Sequence, residues 1–126
     1  MSIWKKSVLF TLGGCAYMGL ETLWRGWSHG SMFLAGGSSF LLLGVLHRKG
    51  DRMPMAIQAF LGAGIITGVE LAAGLLANRD YSVWDYRHLP MNYRGQICLP
   101  FSLLWVPVSL GAMVLYDVLE SRLPDR

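Results

Sequence analysis

Apolar residues in this chain come in long unbroken runs separated by short polar connections, with no two-residue alternation. Ser7 to Trp24 is interrupted by charge only at Glu21, and Met32 to Leu46 carries no charge at all. Pro54 to Ala77 has Gln58 and Glu70 as its strongly polar interruptions, and Gln96 to Tyr116 is the fourth run. A helix that crosses the hydrocarbon layer needs roughly 20 mostly apolar residues, because each residue rises about 1.5 Å. The pattern predicts four transmembrane helices, at approximately 7–24, 29–47, 54–77 and 96–117, the second borrowing turns from its flanks. The expected fold class is all-α, a polytopic four-helix membrane bundle forming one domain over 1–126. A transmembrane β-barrel would need alternation along each strand, and the runs are continuous.

Composition supports this. The chain is 53% hydrophobic and only 15% charged, against about 25% charged in soluble domains. Such a chain is neither disordered nor a disulfide-stapled miniprotein. Seven of the eleven Lys and Arg residues (Lys5, Lys6, Arg48, Lys49, Arg52, Arg122 and Arg126) fall on one side of the predicted membrane. Arg25, Arg79, Arg87 and Arg94 fall on the other. By the positive-inside rule both termini are expected in the cytoplasm, in a multi-pass protein of the inner (cytoplasmic) membrane. The net charge of +3 suits anionic headgroups, and no nucleic-acid partner is expected. The first run, preceded by Lys5 and Lys6, resembles a secretion signal but lacks a small-residue cleavage pattern, so it reads as a retained span. Cys15 and Cys98 are expected at different depths, as unpaired packing residues.

The first and third helices share a pattern: Gly13, Gly19, Leu20 and Glu21 align with Gly62, Gly68, Val69 and Glu70. Both would run outward, which suggests two parallel helical-hairpin repeats. Gly64 and Gly68 form a small-xxx-small face, and Gly36, Gly37 and Gly44 are similarly placed. These glycines pack either the bundle itself or a second copy, and a homo-oligomer is a candidate assembly.

Carboxylates inside a membrane are costly and usually face protein or water. Glu21 lies four residues before Arg25, the spacing that puts both on one helical face as an ion pair. Glu70 has no basic neighbour on its own helix before Arg79, so its partner is expected from Arg25, His29, Arg94 or a bound ligand. The outer connections are RGWSHGS (25–31) and NRDYSVWDYRHLPMNYR (78–94). Aromatic residues suit a membrane interface, but charges of both signs interleaved with rings also suit a cap over a polar cavity. An outward-facing polar pocket follows. Cys98, His88 and Asp85 resemble a nucleophile, base and orienter in residue type alone. Glu21, Glu70 and His29 lack a fixed metal-ligand spacing, and no metal or cofactor is expected. No phosphate-loop or dinucleotide motif is present, so ATP hydrolysis is not expected of this chain.

Three segments carry a resemblance: WRGWSHGSMFLAGG (24–37), GVE (68–70) and VWDYRHLPMNYRGQICLPFSLLW (83–105). They resemble the bacterial ABC-transporter type IV, or CmpB-like, family. The Trp84-Asp85-Tyr86 triplet, with Asn92, Gly95 and Gln96 after it, is the most specific part. Arg87 follows the triplet where the family usually carries Ser. The resemblance implies a transport-related membrane protein with Glu21, Arg25, His29, Glu70, Trp84, Asp85, Asn92 and Gln96 as marked positions.

The leading functional expectation is binding, and transport, of a small polar or charged solute or lipid headgroup. Glu70 and Glu21 would line the site, Arg25 and Arg94 supply counter-charge, and Trp84 with Tyr86 form a lid. The alternative is a non-catalytic subunit or assembly factor whose outer loops dock a partner protein. A third reading, an enzyme acting on lipid with Glu70 or His29 as base, ranks last.

Overall fold

The computed structural model describes residues 2–50 and 52–124; Arg126, counted above on the basic side, lies outside them. Among the described residues the chain forms α1 (Ile3–Arg25), α2 (Gly30–Lys49), α3 (Met55–Ala77), a short ribbon of β1 (Asn92–Tyr93) and β2 (Ile97–Cys98), and α4 (Leu99–Arg122). The two strands pair antiparallel, Asn92 opposite Cys98 and Tyr93 opposite Ile97. Helix α1 starts earlier than expected because Ser2 caps it, its side chain accepting from the Lys5 amide at 3.2 Å. Helix α4 starts later because the residues expected at its beginning belong to the ribbon.

Three helices, α2, α3 and α4, are long and apolar enough to cross a membrane. The protein is thus a membrane-type helical bundle. Helix α1 matches them in length at 23 residues, but Lys5, Lys6, Glu21 and Arg25 lower its apolar content. Large apolar side chains face outward where lipid would lie: Leu34 and Val45 on α2, Phe60 on α3, Leu103 and Val114 on α4.

Glycines and rings mesh α1 with α2. A Cβ added at Gly13 would come within 2.5 Å of Phe40, and one at Gly36 within 2.5 Å of Tyr17. At Gly14 and Gly37 it would meet the carbonyl oxygens of Phe33 and Phe10, at 2.6 and 2.7 Å. Each helix therefore offers glycines to the other's aromatic residues, the close approach that membrane helices use. Gly44 makes room for Tyr116 of α4, and Gly62 sits against Leu43 and Ser109. The glycines at 36, 37 and 44 thus pack this bundle. At Gly19, Gly64 and Gly68 an added Cβ would meet nothing within 4 Å.

The second hairpin, α3 with α4, is tied by the Ser109 hydroxyl donating to the Ala59 carbonyl at 2.8 Å and Thr67 donating to Ser102 at 3.0 Å. At the end bearing the termini, His47 of α2 bridges Gln58 of α3 (2.7 Å) and Asp117 of α4 (2.6 Å). Lys5 pairs there with Glu120 at 3.3 Å. Helix α2 packs against both α3 and α4, whereas α1 barely meets α4. A crevice between the hairpins follows from that asymmetry.

Candidate functional site

The segment from Asn78 to Cys98 folds as a cap over the end of the bundle away from the termini. Its organiser is Asn78, completely buried at the end of α3. The Asn78 Oδ1 accepts from the amides of Val83 (2.8 Å) and Trp84 (3.1 Å), while its Nδ2 donates to the Trp84 carbonyl (2.6 Å) and Gln96 Oε1 (2.9 Å). Gln96 in turn donates to the Asn78 carbonyl at 2.9 Å and lies against Gly74, where a Cβ would come within 2.3 Å of its amide oxygen. The Trp84 indole donates to the Gln96 carbonyl at 2.8 Å. Three non-glycine residues of the cap, Tyr81, Met91 and Arg94, adopt left-handed backbone angles (φ 61°, 53° and 54°). Such conformations persist where surrounding contacts over-determine them.

Beneath the cap sits Glu70, 7% exposed and seven residues before the end of α3, hence about 10 Å down the helix axis. Its Oε2 accepts from the Tyr86 hydroxyl at 2.8 Å and its Oε1 from the Trp105 indole at 3.4 Å. Burial, then the adjacent Glu70 carboxylate, push the Tyr86 hydroxyl well above the ordinary phenol range, so it remains a donor. Tyr86 stacks on Phe101, ring centroids 4.8 Å apart, and Tyr17 of α1 meets Trp105 edge-to-face at 6.3 Å. None of Arg25, His29 and Arg94, the protein partners considered for Glu70 beside a bound ligand, reaches it; a phenol and an indole hold it instead. Arg25 is engaged elsewhere, by Glu21 at 2.9 Å, the Trp27 ring at 4.0 Å and the Val83 carbonyl. The i,i+4 pair read from the sequence is therefore present.

Glu70 opens onto a cavity of about 330 Å³ between the hairpins. Tyr17, Phe40, Trp84 and Trp105 supply its rings, and Gly13, Gly36 and Gly111 widen it. Along α2 the lining runs from Met32 to Leu43, about 16 Å of helix axis. Of its lining residues, Ala16 and Leu20 of α1 and Gly111 and Leu115 of α4 are solvent-exposed. Its mouth therefore lies between α1 and α4, on the flank of the bundle.

This corrects the sequence reading of an outward-facing polar pocket. Trp84 and Tyr86 do cover the Glu70 end, but the lining is largely apolar, its polar groups being that one carboxylate, the indole N–H groups and the hydroxyls of Tyr17 and Ser39. The other expected site residues are engaged away from the cavity, in the cap or at helix ends. His29 caps α2, its Nδ1 accepting from the Ser31 amide at 3.1 Å. Asp85 holds Arg87 through hydrogen bonds of 2.7 and 2.9 Å, and these keep its carboxyl down at about 2. Asn92 binds the Leu89 carbonyl and the Gly95 amide, turning the ribbon. Arg94, exposed at the ribbon tip, lies over Tyr93 at 5.5 Å and does not line the cavity. Cys98 is buried, but Cys15 is exposed on α1, not a packing residue. Among the described residues no group of three or more His, Cys, Asp or Glu is placed to hold a metal ion.

Tyr17, Asn78 and Trp105 were not singled out from the sequence. Tyr17 had a signal, since 17, 21 and 25 repeat at four-residue spacing along one face of α1. A family model described as "Putative ABC-transporter type IV" matches residues 8–124, nearly the whole chain. The chain belongs to this CmpB family. No curated protein and no solved structure matches it. In this CmpB-family chain the matched span takes in the cavity lining and the entire cap.

Proposed function

We propose that this CmpB-family chain is a four-span protein of the cytoplasmic membrane, both termini inside, that binds an amphiphile for transport. The polar end of the ligand meets Glu70 under the cap, and its apolar part fills the crevice. One observation carries the reading: among the described residues a buried carboxylate is the single charged group lining a largely apolar cavity of about 330 Å³. Carboxylates at membrane depth mark functional sites by default, because nothing in packing alone offsets their cost. That volume falls at the low end of the roughly 300–1,000 Å³ typical of ligand pockets. Counting α1 as a span follows from its close meshing with α2. The inward placement of the termini follows from the excess of Lys and Arg at their end of the bundle.

In reconstituted vesicles, Glu70→Gln is expected to abolish ligand uptake or binding while expression and thermal stability stay near wild type. Unchanged uptake would overturn the proposal. The second reading, an accessory subunit docking a partner, is favoured by the exposed Met91 and Tyr93 on and beside the first strand of the ribbon. Stoichiometric co-purification of a protein after mild solubilisation, lost on Tyr93→Ser and indifferent to Glu70→Gln, would select it instead.

A further inference from the structure

We infer that the ligand of this cavity is an organic cation, an ammonium-type head bearing an apolar body, paired with Glu70 and enclosed by Tyr17, Trp84 and Trp105. The inference rests on the cavity being a ligand site and adds the ligand's charge and kind.

Charge comes first. Among the described residues Glu70 is the one acidic or basic side chain lining the cavity, and no Lys or Arg there pairs with it. Its two hydrogen-bond partners are neutral donors, and an indole N–H can only donate. Both therefore favour the accepting, ionised carboxylate, and they leave about two of its four lone-pair sites free. An anionic ligand would be repelled, and beside a neutral one a carboxyl in a low-dielectric space gives up its charge by taking a proton, which weakens both of these bonds; a positive ligand keeps it ionised.

The walls then decide which cation. A small inorganic ion would need several oxygen ligands to replace its water, and this site offers one carboxylate and the hydroxyls of Tyr17 and Ser39 in a mostly apolar lining, with no cluster of three or more His, Cys, Asp or Glu among the described residues. Aromatic rings attract cations through their quadrupoles, and cages of them are the recurrent means of holding quaternary ammonium groups. Three of the four rings on the lining, those of Tyr17, Trp84 and Trp105, come from α1, the cap and α4, so they surround the Glu70 end from separate elements. Glycines and aliphatic side chains toward the middle of the bundle match an apolar body.

The test uses the full-length protein in detergent and three probes of nearly one shape: benzyltrimethylammonium, its carbon isostere neopentylbenzene, and the anion benzylsulfonate. Binding is measured by equilibrium dialysis. Wild type is expected to bind the cation at least about tenfold more tightly than the neutral isostere and to reject the anion. Glu70→Gln should remove that preference while keeping the isostere. Trp105→Leu should weaken the cation more than the isostere with Glu70 intact, which guards against a Glu70 variant that fails to fold. Gly111→Trp, placed where an added Cβ meets open space at the mouth, should block both the cation and the isostere. Equal binding of cation and isostere, both blocked by Gly111→Trp, would overturn the cation inference and leave the cavity reading standing. Binding of all probes unaffected by Gly111→Trp, or of none of them to wild type, would overturn both.

Discussion

Asn78 shows how one side chain can set the geometry of a site it does not touch. Four hydrogen bonds radiate from its amide to three cap residues, and they fix Trp84 over the cavity. Replacement by Ala would leave the buried amides of Val83 and Trp84 and the Gln96 side chain without those partners. Each such orphaned group costs about 1–3 kcal/mol. Asn78→Ala is therefore expected to lower stability by about 3 kcal/mol or more, read from thermal unfolding in detergent, and to loosen ligand binding as Trp84 loses its seat. Nothing in the sequence marks Asn78, because an Asn at a helix end is common and its partners lie up to 18 positions away. Gln96 was legible as special but for the wrong reason: its amide is spent on the cap. Glu70 was legible because an isolated carboxylate in an apolar run is rare, whereas its partner Tyr86 read only as part of a lid and Trp105 carried no signal beyond its apolar run.

At the scale of helices, glycine placement separates two surfaces. Gly14 and Gly37 face carbonyl oxygens of the neighbouring helix, which cannot move without moving a backbone, while Gly64 and Gly68 face open space. Gly37→Ala is expected to destabilise the bundle by about 1–3 kcal/mol through overpacking. Gly64→Ala should be neutral or stabilising by up to about 1 kcal/mol, since Ala favours helix over Gly. Parallel melting curves of the two variants check the contrast. The four runs were legible as helices because hydrophobic length is a strong signal. The ribbon at 92–98 was not. Its strands are two residues each and depend on the left-handed turn at Arg94 and Gly95, too short for any periodicity to register.

For the whole molecule, the placement of α1 in the membrane decides what the cavity opens onto. Cys15 sits midway along α1, exposed on its surface. A spanning α1 places that thiol in hydrocarbon. Water-soluble maleimides are then expected to leave it unmodified in sealed or permeabilised vesicles, while a membrane-permeant reagent, or denaturation in detergent, exposes it. Rapid modification in intact vesicles would put α1 at the surface instead. The polar links recorded from α1 to the second hairpin and its cap lie at its two ends, Lys5 to Glu120 and Arg25 to the Val83 carbonyl. The stretch between them borders the mouth of the cavity. With four spans, that mouth opens sideways into acyl chains, so a ligand arriving there is drawn from the lipid phase and not from water. Its effective concentration is then its aqueous concentration multiplied by a partition coefficient. Affinities measured per mole of buffer would rise with each methylene of ligand chain, by roughly 0.8 kcal/mol, before the protein discriminates at all. Selectivity would then show only once amounts are expressed per mole of lipid.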